Sequence, residues 1–463
     1  MEENRVLYYI GQYNQKVTDT FLNYKCAEIT MEKERIIEIL DSWNFWTTDL
    51  EVGVVRGDYL ELFEKLKETG QVVVITGVRR SGKSTLIKQY IKRLIESGED
   101  RKNFLYINLE EPRFIDELSL NFLQDAYEAY LEIVGPTSKP HIFLDEIQNV
   151  KGWEKFVRAL HEKNEAVIFI SGSSAKLLSR ELGTSLTGRH VDIVVYPLTF
   201  VEFLAFNNLK FKTRLEVLSN KIKIKKLLRE YISYGGFPLV VLSKEKEEIL
   251  RRYFDDILAR DIAERYRIKK IDKLKILAKY YLTNISSQSS LRKIKNFIGI
   301  SLDTVERFSY YLRDAYLIFF VSKFSYSLKE QEINPKKVYA VDLGLRNMLS
   351  FKFSEDWGKL YENVVFFELL KKNRELYYYR NRYECDFLVK KGESVKEAIQ
   401  VCFALTEENK KREVDGLLEA MGRFKLREGT VITEDFGGRE RHGSKTINFI
   451  PLWKWLVMPA RKS

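Results

Sequence analysis

Cysteine is nearly absent. The 463 residues hold 3 of them, Cys26, Cys385 and Cys402. An odd, sparse set without metal-like spacing excludes a disulfide framework and suits a reducing compartment. Long apolar runs are also missing, since none approaches the roughly 18 residues that a spanning helix needs. The opening "MEENRVLYYIGQYNQ" is acidic at its start and has no signal-like apolar core. A cytoplasmic protein without a membrane partner is therefore expected. The chain shows no internal repeat and no low-complexity tract.

Apolar bulk and positive charge are what the chain does have. Hydrophobic residues make up 45% of it, and a chain of this length divides into about two to four domains. Lys and Arg number 77 against 66 Asp and Glu, for a formal net charge of +11. That balance favours an anionic partner, nucleic acid or a membrane surface, with a solvated basic surface as the plain alternative.

Residues 31–45 carry a helical pattern. "QVVVIT" (71–76), "NFLYINL" (103–109), "HIFLD" (141–145) and "AVIFIS" (166–171) follow as short apolar strands separated by helical text. That alternation predicts parallel strands with crossover helices. After "YPLTFVEFL" (196–204) the text turns basic and helical, and the "YGGFP" break (234–238) is the best candidate for a boundary. A last α/β stretch begins near Trp357.

The strongest motif is "GVRRSGKST", which matches G-x-x-x-x-G-K-[ST] at Gly77, Gly82, Lys83 and Ser84, after a strand and before an amphipathic helix. Its glycines let successive backbone N–H groups face phosphate oxygens, and the helix N-terminus adds positive potential. Arg80, Ser81 and Thr85 complete this expected ATP cradle, in which Lys83 reaches the β- and γ-phosphates and Ser84 ligates Mg²⁺. In "HIFLDE", Asp145 ends a strand where an acid can hold the magnesium, and Glu146 can orient or deprotonate the attacking water. Ser171 and Ser173 are γ-phosphate sensor candidates at the next strand end. Arg189 is a candidate arginine finger; acting in trans, it would require a homo-oligomer or a partner.

"TGVRRSGKST", "YINLEEPRF", "IFLDEIQNVKGWEKFVRAL", "ISGSSAKLLSRELGTSLTGR" and "YPLTFVEFL" stand in that order, with "WNFW" before them and "GGFP" after. The chain thereby resembles the prokaryotic, mostly archaeal, AAA-type ATPases that carry a C-terminal nuclease-like domain. The resemblance spans nearly the whole chain.

Basic residues crowd residues 210–229 and 265–279. "SSLRKIKNFIGISLDTVERFSYYLRDAYLIFFVSKFS" then reads as a helix, a turn at Gly299, a second helix and a strand-like exit, the skeleton of a winged helix-turn-helix. Its second helix would offer Thr304, Arg307 and Arg313 to a DNA groove while Leu302, Val305 and Leu312 pack inward. Arg292, Lys293 and Lys295 would sit on phosphates. A purely structural or protein-contact module is the alternative.

Residues 357–433 read as an αβββαβ order, which looks like the restriction-endonuclease and Holliday-junction-resolvase fold. That resemblance implies a helix Glu, a strand Asp and Glu-x-Lys on the next strand. Glu362 and Asp386 fit, but Gln400 and Cys402 stand where the Glu and Lys belong. Gln binds a hard cation poorly and a thiol supplies no fixed positive charge. Glu384 and Glu397 are spare acids, while no nearby lysine is evident. Alternation would place Glu384, Asp386 and Leu388 on one face. A degenerate nuclease site is expected.

The whole is an expected α/β protein: an N-terminal helical extension (1–57), a P-loop NTPase core with a parallel sheet (58–205), a helical lid (206–250), a winged helix (251–350) and a nuclease-like α/β domain (351–463). The main expectation is a Mg-dependent ATPase whose nucleotide state controls a nucleic-acid-binding winged helix and an inactive nuclease-like domain. The alternatives are an ATP-driven signalling or defence switch acting through protein association, and an active Mg-dependent DNA nuclease.

Overall fold

The structure, a computed structural model, describes residues 31–173, 188–349 and 357–458. Cys26 and most of the expected N-terminal extension lie outside the described residues. The helical pattern expected over 31–45 is realised as the helix Lys33–Asp41.

The first sheet contains β1 (Val72–Thr76), β2 (Phe104–Asn108), β3 (His141–Asp145), β4 (Val167–Ser171) and β5 (His190–Val194). All its pairings are parallel, in the order β2-β3-β4-β1-β5. Continuous apolar text such as "VVVIT" makes a strand covered on both faces, and all five residues of β1 are buried. This topology brings the C-terminal ends of β1, β3 and β4 together. β5 was not anticipated, because "HVDIV" is a half-exposed edge strand rather than an apolar run.

Beyond the sheet, helices Arg214–Ser219, Lys221–Tyr234, Pro238–Leu242 and Lys246–Asp256 lead into a wider π-helical segment, Ile257–Glu264. The chain continues as helix Ile271–Thr283, β6 (Ser287–Ser289), helices Leu291–Ile298 and Leu302–Asp314, then β7 (Ile318–Val321), the short helix Leu328–Ile333 and β8 (Lys336–Ala340). These three strands form an antiparallel sheet in the order β6-β8-β7.

The last unit opens with helix Trp357–Lys371, followed by β9 (Glu375–Arg380), β10 (Glu384–Lys391), β11 (Ser394–Val401), helix Glu407–Arg423 and β12 (Glu428–Thr433), the expected order. β13 (Gly438–His442), β14 (Lys445–Pro451) and helix Leu452–Val457 extend it. The sheet order is β13-β14-β12-β11-β10-β9.

One apolar core runs through the middle and last units, joining Tyr231, Leu277, Phe308, Val338, Phe366, Phe387 and Trp453. "YGGFP" is a packed crossing inside it, not an exposed linker. A Cβ on Gly236 would lie 2.4 Å from the Leu198 carbonyl oxygen, and one on Gly235 would strike the Asp342 carboxylate. The Asp342 carboxylate accepts from the backbone N–H groups of Gly236 and Leu345. Burial pushes this carboxyl up to about 6 against those N–H bonds.

Candidate functional site

The P-loop leaves β1 at Gly77, whose φ of 138° suits glycine alone. A Cβ there would lie 2.0 Å from the Val195 carbonyl oxygen. Gly82, at φ 97°, caps the helix Lys83–Glu96. Lys83 is buried, with Nζ 3.2 Å from the Gly77 carbonyl oxygen and 3.8 Å from Glu146 Oε1. Arg80 and Thr85 are exposed beside the loop, whereas Ser81 is fully buried.

Asp145 is 1% exposed at the end of β3. Tyr106 OH donates to its Oδ2 at 2.6 Å, Ser171 Oγ donates to its Oδ1, and the Ser84 hydroxyl bonds to the same carboxyl. Burial, reinforced by Glu146 next to it, raises the affinity of Asp145 for protons, and the hydroxyl bonds oppose this. A desolvated carboxylate beside a serine hydroxyl gains from a hard cation, so Ser84 and Asp145 fit the magnesium expected with a nucleotide. Glu146 occupies left-handed backbone (φ 56°), its N–H bonds to Ser171 Oγ at 3.1 Å, and its carboxylate accepts from Gln148.

Arg56 holds the cradle from behind. It is 4% exposed, donates to the Ser81 and Tyr196 carbonyls at 3.0 Å each, and pairs with Glu202 at 2.8 Å. Its pairing with Glu202 outweighs the burial that would weaken its charge. Sequence reasoning missed Arg56, which lies outside the motif.

Ser173 stands one residue past Gly172, whose N–H bonds to the Ile75 carbonyl. That places Ser173 beside the loop as expected, but it already bonds to Asp261 on the π-helical segment. Arg189 goes elsewhere. Its carbonyl accepts from Val72 N at the opposite end of β1, and its guanidinium pairs with Glu162 on the surface. Within one chain it does not reach the P-loop.

The C-terminal cluster is not the one expected. Lys337, from β8 of the other sheet, is 2% exposed and lies 2.8 Å from Asp386 Oδ1, 3.0 Å from Glu362 Oε1 and 2.7 Å from Glu384 Oε1. Tyr339 OH also donates to Glu362, at 2.6 Å. The acids keep Lys337 well above the ordinary lysine range despite its burial. Burial, then Asp386, pushes Glu362 up to about 8. A lysine does complete the cluster, contrary to the sequence reading, but it comes from a strand outside the motif.

Gln400 and Cys402 share a face, as expected, yet that face looks toward helix Glu407–Arg423. Gln400 donates to Glu413 at 2.6 Å, and Cys402 packs in the apolar layer with Cys385 and Leu388. A register shift in β10 between Cys385 and Leu388 explains the failed alternation. Asp386 turns toward Lys337 and Phe387 into the central core, while Leu388 faces the opposite layer. The cluster does not fit a nuclease magnesium. One oxygen of Asp386 takes Lys337 and the other takes Val401 N–H. No group of three or more His, Cys, Asp or Glu able to hold a metal occurs among the described residues.

Arg292, Lys293 and Lys295 are exposed on helix Leu291–Ile298, and Arg307 and Arg313 on helix Leu302–Asp314. Arg307 pairs with Asp303 at 3.4 Å, and Arg313 lies over the Tyr310 ring. Thr304 is half-buried beside the Ser301 cap. Val305 and Leu312 are fully buried, but Leu302 is 36% exposed because it stands at the first turn, outside the packed face. Part of the 210–229 basic run is already engaged, with Lys225 and Lys221 meeting Asp435 at 2.9 and 3.4 Å.

Parallel sheet, P-loop and strand-end acids together define a P-loop nucleotide-binding core. An AAA domain model matches residues 69–204, and a domain of unknown function matches residues 225–356. The chain belongs to one family with uncharacterized protein MJ1544 of Methanocaldococcus jannaschii, 38% identical over 83% of this chain and 88% of that protein. An uncharacterized protein of Haemophilus influenzae is 34% identical over 80% of this chain and 92% of its own length. Among solved structures, the Walker-type ATPase PABY2304 of Pyrococcus abyssi aligns with 65% of this chain and 99% of its own, at 15% identity and a TM-score of 0.41. Among the described residues no helix is long and apolar enough to cross a membrane.

Proposed function

We propose that this chain is a Mg-dependent ATPase whose nucleotide state controls a nucleic-acid-binding winged helix and a nuclease-like domain that does not cut. The observation that carries the ATPase reading is the convergence of Lys83, Ser84, Asp145 and Glu146 at one sheet edge. The loop's N–H groups and Lys83 would bind and orient the phosphates. Ser84 and Asp145 would hold magnesium, which when bound draws charge from the phosphate oxygens. Glu146, adjacent to Asp145 and 3.8 Å from Lys83, would orient the attacking water and accept its proton.

Residues 271–340 run helix–strand–helix–helix–strand–helix–strand, with the short helix Leu328–Ile333 between the last two strands; this order supports the winged-helix reading, and its exposed arginines and lysines support DNA as partner. The filled Lys337 cluster supports the non-cutting reading. An ATPase assay with Mg²⁺ across single-stranded, duplex and branched DNA, scored for phosphate release and strand breaks, tests all of these. Turnover stimulated by DNA without breaks is expected. Breaks lost in Asp386→Ala would overturn the non-cutting part, and absent turnover would overturn the ATPase part.

A second reading rests on Arg189. Because it is half-buried at the surface and remote from its own P-loop, it would complete a site only on a second copy or a partner. ATP-dependent oligomerisation without DNA stimulation would favour a switch acting through protein association.

A further inference from the structure

Around the P-loop, buried cations and acids are tightly interlocked. Arg79, within the loop and 9% exposed, places Nη1 3.7 Å from Asp261 and Nη2 3.1 Å from Glu110. Arg265 Nη2 donates to Ser173 Oγ at 2.8 Å, and Ser173 Oγ donates to Asp261 Oδ1 at 3.1 Å. Among the described residues, three buried donors here have no partner: Arg79 Nε, Ser81 Oγ and Arg265 Nη1. Leaving such groups unsatisfied is costly, and a phosphate is the anion that a P-loop gathers.

Asp261 is itself 4% exposed. It sits on the π-helical segment Ile257–Glu264, outside the sheet, yet its charge is felt by Arg79, Arg265 and Lys83. An incoming γ-phosphate would need the same Arg79, Arg265 and Ser173. Two anions in so dry a pocket cannot both keep those partners.

The segment carrying Asp261 is mechanically tied to the middle unit. Tyr266 OH donates to Asp314 Oδ2 at 2.5 Å, and its ring stacks on Tyr311 with centroids 3.7 Å apart. Both partners belong to helix Leu302–Asp314. A second tie joins Thr76, the residue before Gly77, to Tyr316 through their hydroxyls at 2.9 Å.

We propose that Asp261 is a built-in anion that competes with the γ-phosphate of ATP for Arg79, Arg265 and Ser173. ATP, but not ADP, thereby frees the 257–264 segment from the P-loop and shifts helix Leu302–Asp314. This rests on the P-loop binding ATP, as proposed above. The coupling is reciprocal: whatever Asp261 costs ATP affinity is what ATP uses to release the segment.

The test is binding of fluorescent ATP and ADP analogues, with Mg²⁺, to the full chain and to Asp261→Asn, Arg265→Ala and Lys83→Ala. Asp261→Asn is expected to tighten ATP by on the order of tenfold and move ADP by less than about twofold; a coupling of this kind spans roughly 5- to 150-fold. Arg265→Ala should weaken ATP selectively. Equal shifts for both nucleotides, or none, overturn the competition while leaving the P-loop reading intact. Absence of binding to the unmodified chain, or unchanged binding in Lys83→Ala, overturns the P-loop reading and the competition with it. Hydrogen exchange on the unmodified chain gives a readout that needs no variant. Residues 257–268 should exchange faster with a non-hydrolysable ATP analogue than with ADP, and equal protection contradicts the proposal.

Discussion

Lys337 and Asp386 lie 2.8 Å apart, on strands of two different sheets, and both are almost wholly buried. The pair fastens the middle unit to the last one. Removing one member of a buried ion pair leaves the other charge stranded. Lys337→Ala should therefore destabilise the chain by about 3–5 kcal/mol, read as a drop in denaturant midpoint or as loss of the folded protein. Lys337→Ala with Glu362→Gln and Asp386→Asn together should recover part of that loss. A neutral Lys337→Ala would show that the cluster contributes nothing.

The same cluster sets a pH dependence. Glu362 has a folded value near 8 against an ordinary 4.5, so the folded state holds a proton that the unfolded state has released. Its contribution is fully present below about pH 4.5 and is lost as pH rises through about 8. From pH 6 to 9 the loss amounts to on the order of 2–3 kcal/mol. Glu362→Gln, which mimics the protonated form, should flatten that part of the profile in urea titrations. A profile identical to the unmodified chain would contradict the assignment.

Arg56 should act on the P-loop without touching nucleotide. Arg56→Ala removes the closest cation from Glu202 and frees the Ser81 carbonyl, so both thermal stability and nucleotide affinity are expected to fall. Arg56→Lys should restore little, because a point charge cannot span Glu202, Ser81 and Tyr196 at once. Full activity in Arg56→Lys would indicate that charge alone suffices.

DNA affinity should fall steeply with salt, since neutralised phosphates release counterions. Replacing Arg292, Lys293 and Lys295 by Ala should reduce the slope of log affinity against log salt by about one for each phosphate that is no longer neutralised. An unchanged slope would remove helix Leu291–Ile298 from the interface.

What could be read in advance followed contiguity. The P-loop, Asp145 and Glu146 lie in short strand–loop patterns whose chemistry is local, and the structure brings Lys83, Ser84, Asp145 and Glu146 to one edge. Lys337 was invisible because it stands 49 residues from Asp386 on a strand of another sheet. Strict alternation misplaced Leu388, since the irregular register of β10 reverses its face. β5 was overlooked because an edge strand lacks the continuous apolar text of its neighbours. Asp261 carried no signal of its own, being one of three charged residues in the stretch "ILARDIAE".

Phosphate release from ATP with Mg²⁺, compared between the unmodified chain and Glu146→Gln, tests the central claim most directly. The account predicts turnover in the unmodified chain, a loss of about a hundredfold or more in Glu146→Gln as expected when a general base is removed, and retained ATP binding in that variant. Equal turnover in the two proteins would contradict it.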